Sequence, residues 1–386
     1  MHQSHRSLLH VILVPLLFLI ILLHGCKNQT TDVQISPRSA RLGFTNFPYE
    51  RSVPAVQFVL DVIKRDGDMI VSHSDNGVPW DASLANDFSQ YPQDFRDEIA
   101  AINANKPAGH ALYVATTPIA FLRNRLAPTR GANGQATFQV PWSTYPFDHA
   151  DVIKAFTNHC RILIRNLNPD YFAFGIEVNL LRELGGDTLW NQHLVLAHAV
   201  YDSLKVSSPQ LPVFQTIQVE SYYRNSVLGS TLVTQVMPIT DILALSTYPY
   251  AESSLYPDQS LADPARLTST YLAGFANLAQ GKPVAISETG WPAENVTAPY
   301  PITIRSTLGE QRAYVDFVVD AIGKTNAKFV CWFLARDYDQ LWTSELKSDP
   351  NASLLRIWKD IGLYDSTGTP RPALTSWRNA LAHPLQ

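Results

Sequence analysis

Short apolar runs alternate with longer amphipathic stretches from residue 41 to the end of the chain. Apolar runs rich in β-branched and aromatic residues predict strands, whereas apolar residues at every third or fourth position predict helices. The predicted strands are Arg41–Phe47, Asp68–His73, His110–Thr116, Tyr171–Val178, Pro212–Val219, Asp241–Tyr248, Pro283–Glu288 and Lys328–Leu334. The predicted helices are Val53–Arg65, Pro92–Asn103, Asp151–Asn166, Leu189–Lys205, Ala265–Ala279 and Glu310–Gly323, with a weakly helical connection around Val227–Val236.

The order of these elements predicts the fold class. Several strands are nearly continuous apolar runs, as from Ile242 to Leu245, and a parallel sheet covered on both faces requires such runs. Eight strands alternating with helices over about 340 residues predict an α/β protein with a single-domain (β/α)8 TIM barrel. A doubly wound open sheet is the alternative, but no glycine-rich phosphate-binding turn follows the first strand.

The N-terminal segment differs in character from the rest of the chain. A short start containing Arg6 precedes an apolar run from Leu8 to Leu23, which is typical of a secretory signal. The next residues, Gly25 and Cys26, resemble the lipobox of bacterial lipoproteins. That resemblance implies a diacylglycerol on the Cys26 thiol and cleavage of the chain before it. An uncleaved signal-anchor helix is the alternative, because the run approaches spanning length.

These observations divide the chain into three segments. Residues 1–26 are predicted to be a lipoprotein signal peptide, 27–40 a polar tether, and 41–386 the barrel. The expected location is the bacterial cell envelope, periplasmic or at the cell surface, with the membrane as a partner through the lipid anchor. Both readings of the N-terminus place the barrel outside the cytoplasm.

Charge and cysteine content restrict the possible functions. The formal net charge is −4, so there is no basic excess to contact phosphates and no nucleic-acid partner is expected. After Cys26 the chain has only Cys160 and Cys331, both in apolar surroundings, which predicts buried free thiols. No C-x-x-C or H-E-x-x-H spacing occurs, so neither a metal nor another cofactor is predicted.

Polar residues concentrate where the predicted strands end, which is where such barrels carry their active sites. The candidate substrate-binding residues are Asn46, His73, Asp75, Asn76, Asn179, Gln218, Tyr248, Trp291 and Trp332. The longest connection, Thr117–Ala150, follows the third strand and is rich in Pro, Gly and aromatic residues. A long loop at that end of a strand predicts a substrate-binding insertion.

Two glutamates are the candidate catalytic residues. Glu177 and Glu288 close the fourth and seventh predicted strands, and a carboxylate at the end of an apolar strand is costly unless it is partnered or functional. Glycoside hydrolysis needs two such carboxyls, one to protonate the leaving oxygen and one to support the oxocarbenium-like centre. A buried ion pair at each glutamate is the alternative, and Glu220 is a spare acid.

Two motifs carry a resemblance to a known group of enzymes. The segment from Ser287 to Pro292, which contains Glu288, is similar to the nucleophile segment of glycoside hydrolase families 17 and 53 of clan A. The segment from Ser246 to Tyr250 resembles the sixth-strand end of those families. The resemblance extends over about residues 41–345, although the motifs themselves are short.

The resemblance implies a function and roles for individual residues. The protein is expected to be a retaining hydrolase of a β-linked polysaccharide or oligosaccharide, of the β-galactan or β-glucan type. Glu288 is the implied nucleophile and Glu177 the implied acid/base. Tyr248 is expected to hydrogen-bond Glu288 and hold it ionised, and Trp332 to form the floor of the sugar site.

One position departs from the clan pattern. The clan usually has Asn directly before the acid/base, where it binds the sugar 2-hydroxyl, but this chain has Ile176. Hydrogen bonds to that hydroxyl contribute several kcal/mol in the transition state. Asn179, two residues past Glu177, is the expected substitute. The departure leaves open a non-catalytic glycan-binding lipoprotein on a degenerate barrel, and a transglycosylase would share every residue named.

Overall fold

Eight parallel strand positions form a nearly closed barrel in the computed structural model, which describes residues 37–252 and 263–386. The strands are β1 (Arg41–Thr45), β2 (Met69–Ser74), β3 (Ala111–Thr116), β4 (Tyr171–Ala173), β5 (Val213–Phe214 and Thr216–Gln218), β6 (Leu243–Thr247), β7 (Val284–Thr289) and β8 (Phe329–Trp332). β1 pairs with both β2 and β8. β5 is interrupted at Gln215, and its first part pairs with β4 and its second with β6. The predicted (β/α)8 fold is confirmed.

Helices connect the strands and cover the barrel. They are α1 (Val53–Asp66), α2 (Trp80–Leu84), α3 (Gln93–Asn105), α4 (Ala150–Leu167), α5 (Asn179–Ser207), α6 (Val219–Arg224), α7 (Ser226–Val236), α8 (Phe275–Leu278), α9 (Leu308–Thr325), α10 (Asp339–Ser344), α11 (Ala352–Leu355) and α12 (Pro372–Leu381). Ser52 and Thr307 cap α1 and α9 by accepting backbone hydrogen bonds, as residues of this type do at helix starts. Within the described ranges, no helix combines the length and apolar character that crossing a bilayer requires.

The structure corrects three predicted elements. The helix predicted over Ala265–Ala279 is reduced to α8 and one 3-10 turn at Pro264–Arg266, because the intervening Thr268, Ser269 and Thr270 have low helix propensity. α5 begins at Asn179, ten residues earlier than predicted, and breaks at Gly186, whose φ is +84°. β4 ends at Ala173 rather than at Val178.

Two apolar layers hold the barrel together. The interior cluster includes Tyr113, Phe214, Phe329 and Cys331, while a larger cluster fills the space between strands and helices. Cys160 and Cys331 are free and buried, as predicted.

The described chain begins within the segment predicted to be a tether. Arg38 forms a β-bridge with Leu385 and an ion pair with Asp68 at 2.7 Å. The last residues of the predicted tether therefore pack on the barrel. Residues 1–36, including the signal segment and Cys26, lie outside the described residues.

Candidate active site

A bulge in β7 directs Glu288 into the barrel mouth. Ile286 pairs with Leu245 and Glu288 pairs with Ser246, so two steps along β7 match one step along β6. Side chains alternate along a regular strand, so without the extra residue Glu288 would face the helices like Ile286. Glu288 therefore shares a face with Ser246, and it is nine-tenths buried there.

Glu177 reaches the same mouth by an irregular turn. The chain leaves β4 at Ala173, and Glu177 has φ +49°, in the left-handed region that non-glycine residues rarely adopt. The Glu177 backbone N–H donates to Thr216 Oγ1 at 2.8 Å, which ties the turn to β5. Backbone strain of this kind, about 1–3 kcal/mol, is typical of functional sites.

Both oxygens of Glu177 accept hydrogen bonds. Ser246 Oγ donates to Oε1 at 2.8 Å, and Arg123 Nη2 donates to Oε2 at 3.2 Å. Burial raises the pKa of Glu177, and the Arg123 charge opposes that rise, while the nearby Glu288 adds to it. A carboxyl with a raised pKa suits a group that must donate a proton near neutral pH.

Arg123 is a site residue that sequence reasoning missed. Its guanidinium binds both oxygens of Asp75, at 2.9 and 2.6 Å, in addition to Glu177. Arg123 is buried and has φ +53° at the tip of a turn in the insertion after β3. The available signal was the length of that insertion, because nothing in the local sequence marks this arginine among its neighbours.

Tyr248 and His73 flank Glu288 on opposite carboxylate oxygens. Tyr248 OH donates to Oε1 at 2.6 Å, the hydrogen bond expected from the sequence. His73 Nδ1 lies 3.7 Å from Oε2 and is buried, and no atom of residues 37–252 or 263–386 forms a hydrogen bond with it. Burial raises the pKa of Glu288 to about 7, although Tyr248 and Arg123 act to lower it. Burial also lowers the pKa of His73, so its imidazole is neutral near pH 7.

Asn179 does not take the place of the missing clan asparagine. Its side chain is buried, donates to the Gln218 carbonyl at 2.9 Å and accepts from the Gln218 N–H at 2.8 Å. The expectation that Asn179 contacts a sugar is therefore wrong, because both of its polar atoms join the start of α5 to β5. Ile176 belongs to the apolar barrel interior.

Gln218 and Glu220 also serve the framework. Gln218 accepts from the Ser221 N–H at the start of α6 and donates to Glu220 at 2.6 Å, so its amide is engaged within the protein. Glu220 is buried, and its other oxygen accepts from Thr247, the Tyr248 N–H and Tyr271. Burial raises the pKa of Glu220 to about 7. Glu220 thus holds the backbone of Tyr248 beneath the mouth.

Trp332 does not form the floor of the site. It is fully buried among the helices, with Nε1 donating to the Ile361 carbonyl at 2.7 Å. The expected role is wrong by one residue, because side chains alternate and Cys331 faces the barrel interior. The next residue, Phe333, is part-buried, and its ring centroid lies 6.5 Å from Tyr248 and 5.9 Å from Trp358. Trp358 and Tyr250 also neighbour Tyr248, with ring centroids 5.7 and 6.3 Å from its ring.

The remaining candidates divide between core and rim. Trp291 is fully buried, with Nε1 donating to Ser306 Oγ at 3.0 Å, so the prediction that it contacts substrate is wrong. Asn76 is exposed and donates to the Gly134 carbonyl of the insertion. Asn46 follows β1 directly and is part-buried.

One group of carboxylates in the described ranges has the proximity that a metal ion would need. Oxygens of Glu294, Asp337 and Asp360 lie within 4.8 Å of one another. Arg371 binds Asp337 at 2.6 Å and Glu294 at 3.0 Å, and Arg356 binds Asp360 at 2.7 Å. Protein cations therefore already neutralise this group.

Comparison of the sequence with protein-family models and with curated proteins gave no match. The fold is similar to solved glycoside hydrolases. One is a GH5_18 variant from Streptomyces cattleya in complex with Manβ1-4GlcNAc, at 15% identity and a TM-score of 0.62, covering 89% of this chain and 80% of that one. A second, xylanase 10B from Thermotoga maritima, has 11% identity and a TM-score of 0.58, covering 90% and 98%. A third, GH5_18 from Bifidobacterium longum subsp. infantis, has 14% identity and a TM-score of 0.60, covering 90% and 80%. These likenesses show a shared barrel fold.

Proposed function

We propose that the protein is a retaining glycoside hydrolase that cleaves a β-linked polysaccharide or oligosaccharide, of the β-galactan or β-glucan type. The observation that carries the proposal is the pair Glu177 and Glu288, held at one barrel mouth by hydroxyl donors and both with raised pKa. The barrel shared with solved glycoside hydrolases supports it.

The reaction proceeds in two steps on these carboxyls. Ionised Glu288 attacks the anomeric carbon through Oε2, since Oε1 accepts from Tyr248, while protonated Glu177 gives its proton to the departing glycosidic oxygen. Glu288 is then esterified and uncharged. Glu177, now ionised and favoured in that form by Arg123, takes a proton from water as the water oxygen attacks the same carbon. Glu288 leaves as a carboxylate, and the anomeric configuration is retained.

His73 supplies the contact to the sugar 2-hydroxyl that Ile176, which stands where the clan usually has Asn, cannot make. Its buried Nδ1 has no partner within the described residues and lies beside the attacking oxygen of Glu288. A neutral imidazole nitrogen there can form a hydrogen bond with the sugar hydroxyl next to the anomeric carbon, and hydrogen bonds to that hydroxyl strengthen in the transition state.

The experiment is reducing-sugar release from β-galactans, β-glucans and β-mannans by the full-length protein in detergent, beside Glu288→Gln and Glu177→Gln. Activity on one polymer that falls by orders of magnitude in both variants supports the proposal. Proton NMR of the first product tests stereochemistry, and inversion at the anomeric carbon would contradict the nucleophile assignment.

A non-catalytic glycan-binding protein is the second candidate, favoured by the apolar Ile176. Oligosaccharide binding without turnover in the wild type would select it. A transglycosylase would instead give elongated products at high acceptor concentration.

The proposed location is the cell envelope, through a lipid on Cys26. Mass spectrometry of the mature N-terminus and partition into detergent, compared with Cys26→Ser, test this. A Cys26→Ser protein that is processed and partitions like the wild type would contradict lipidation.

A further inference from the structure

Glu220 is a buried carboxylate that the proposed chemistry does not use. It is 1% exposed and is the second residue of α6, directly after β5. No Lys, Arg or His of residues 37–252 or 263–386 forms an ion pair with it, and Arg224, the cation of its own helix, pairs with Glu183 and Glu252. A buried carboxylate without a counter-ion is costly, so hydrogen bonds must favour it.

Donors from three segments surround Glu220. Oε1 accepts from Thr247 Oγ1 at 2.6 Å, from the Tyr248 N–H at 2.9 Å and from Tyr271 OH at 2.7 Å. Oε2 accepts from Gln218 Nε2 at 2.6 Å. The Tyr248 N–H and the Gln218 NH2 group can only donate, so each oxygen of Glu220 faces a group that requires an acceptor.

The Tyr248 backbone depends on Glu220 because β6 ends one residue earlier. β6 runs to Thr247, and Tyr248 has φ −136° and ψ 68°, outside strand geometry. On the other side of this segment, Thr289 Oγ1 donates to the Thr247 carbonyl at 2.9 Å. Side chains therefore hold the chain where the sheet stops. A buried N–H that loses its acceptor is costly, so the Tyr248 backbone would move if Glu220 stopped accepting.

The side chain of Tyr248 transmits this position to Glu288. Its OH donates to Glu288 Oε1 at 2.6 Å, while Glu220 holds the N–H of the same residue. The Tyr248 ring also packs against Phe333 and Trp358, with centroids 6.5 and 5.7 Å away. A hydrogen bond weakens as its distance and angle depart from the optimum, so a shift of the Tyr248 backbone weakens the bond to Glu288.

We infer that Glu220 is a positioning residue for the nucleophile: through the backbone of Tyr248 it fixes the hydroxyl that holds Glu288 ionised. The inference rests on the proposed function and gives Glu220 no contact with substrate. The carboxyl that the sequence offers as a spare acid acts instead on the hydrogen bond of the nucleophile.

The titratable groups that act on Glu220 come from three segments. They are Tyr271 of the connection between β6 and β7, Tyr223 of α6, and Glu177 after β4. Burial raises the pKa of Tyr223 to about 12 and that of Tyr271 well above its usual value, so both stay neutral near pH 7. Among these three groups, only Glu177 changes its charge in that range.

Neutralising Glu220 has two effects on Glu288, and they have opposite signs. Loss of a nearby negative charge lowers the pKa of Glu288. Displacement of the Tyr248 hydroxyl raises that pKa, because the hydrogen bond favours the Glu288 anion. The direction of the change therefore separates positioning from a direct effect of charge.

The test compares the Glu288 pKa and the pH profile of kcat/KM in wild type and Glu220→Gln. Carboxyl 13C NMR of protein labelled with δ-13C glutamate measures the pKa, and Glu288→Gln identifies the signal. Glu220→Gln keeps the shape of the side chain, but its NH2 group faces a donor at either oxygen position. We expect the acid limb to move up by about one pH unit, so that the rate at pH 6 falls on the order of tenfold.

Two further variants identify the route of the effect. Adding Tyr248→Phe to Glu220→Gln should move the limb no further than Tyr248→Phe alone, because both changes act on one hydrogen bond. Glu183→Gln is the matched control, since Glu183 binds Ser221 and Arg224 of the same helix rather than Tyr248, and it should leave the limb in place. A limb in Glu220→Gln that is unshifted, that moves to lower pH, or whose shift adds to that of Tyr248→Phe overturns the inference.

A second measurement needs no change at Glu220. In Glu288→Gln protein labelled with 15N tyrosine, the Tyr248 N–H signal should move with pH as Glu220 ionises near pH 7. Tyr248→Phe identifies that signal. A signal that stays constant from pH 5 to pH 9 overturns the inference even if Glu220→Gln does not fold.

The NMR measurements keep the two proposals distinguishable because neither requires turnover. If the full-length protein cleaves no polymer but the Glu288 pKa rises in Glu220→Gln, the positioning role stands and the hydrolase proposal falls. If it cleaves a polymer and Glu220→Gln changes neither the Glu288 pKa nor the acid limb, the hydrolase stands and the positioning role falls.

Discussion

Buried Glu288, part-buried Glu177 and Asp75, and the guanidinium of Arg123 are the charged groups at the barrel mouth. Glu177, Glu288 and Asp75 surround Arg123, so one positive charge faces up to three negative ones. Burial raises the pKa of both glutamates and repulsion from Asp75 adds to the rise in each, while Arg123 limits it. A catalytic pair with raised pKa values retains a proton close to neutral pH, which a general acid needs.

Removing the Tyr248 hydroxyl should move the acid limb of the pH profile. Tyr248 OH donates to Glu288 and favours its anion, so Tyr248→Phe raises the Glu288 pKa above about 7. Because Glu288 must be ionised to attack, the acid limb of kcat/KM shifts to higher pH and the rate at pH 6 falls. Tyr201→Phe, whose hydroxyl bonds Asp241 away from the mouth, is the control. An unshifted limb in Tyr248→Phe would show that this hydroxyl does not act on the nucleophile.

Two replacements of Arg123 should distinguish the effect of its positive charge from the effect of its bidentate hydrogen bonds. Arg123→Met removes the charge that lowers the pKa of Glu177 and Glu288, so the acid limb moves to higher pH and the unpaired Asp75 lowers the thermal unfolding temperature. Arg123→Lys keeps the charge and should shift the limb less, while kcat falls because one ammonium cannot bind two carboxylates bidentately. Identical pH profiles in all three proteins would rule out electrostatic tuning by this residue.

At the scale of elements, irregular backbone directs the side chains of the two proposed catalytic glutamates. The bulge in β7 turns Glu288 inward, and the left-handed turn after β4 does the same for Glu177. Regular strands beside them hold these irregular segments in place.

β1 is packed so closely against β2 that a Cβ at Gly43 would lie 2.4 Å from the Met69 carbonyl oxygen.

Gly43→Ala should therefore destabilise the barrel by about 1–3 kcal/mol, since backbone rather than a flexible side chain must move. Thermal unfolding at pH 7 measures this as a lowered midpoint. Gly323→Ala, at an exposed position of α9 with nothing within 4 Å of the new Cβ, is the matched control. It should be neutral or stabilising by up to about 1 kcal/mol, because alanine is the better helix former. Equal midpoints for the two variants would argue against the tight β1–β2 contact.

At the scale of the whole molecule, ion pairs join the C-terminal segment to the barrel, and the Arg371–Asp337 pair is buried on both sides. Arg371, just before α12, binds Asp337 after β8 and Glu294 after β7. Two turns further along α12, Arg378 binds buried Asp66 of α1 at 2.7 Å. The C-terminal segment thus contacts three distant segments of the chain.

Breaking the buried pair should cost far more than breaking a surface pair. Arg371→Met leaves Asp337 buried without its cation, and we expect a loss of about 3–5 kcal/mol in the free energy of unfolding. Lys324→Met removes the exposed pair with Asp320 and should cost at most about 1 kcal/mol. Urea denaturation of both variants at pH 7 gives the comparison. A small loss in Arg371→Met would mean that Asp337 becomes protonated or hydrated at little cost.

The sequence by itself determined the barrel and placed Glu177 and Glu288 at its mouth, and the resemblance to clan A hydrolases implied the hydrogen bond from Tyr248 to Glu288. Strand positions follow from the composition and periodicity of local segments, and active-site residues of such barrels lie at strand ends, so both are readable in one dimension. The sequence also indicated that the long insertion after β3 contributes to the site, and Arg123 of that insertion contacts Glu177.

The tertiary structure decided which way side chains face and which are already engaged. Trp332 points to the helices and Phe333 to the mouth, because a one-residue change of register moves a side chain to the other face. The Asn179 side chain forms hydrogen bonds with the backbone of Gln218. Arg123 contacts Glu177, which lies 54 residues away in the sequence. Contacts of this kind depend on bulges, turns and distant segments meeting in space. The local pattern of hydrophobic and polar residues therefore does not predict these contacts.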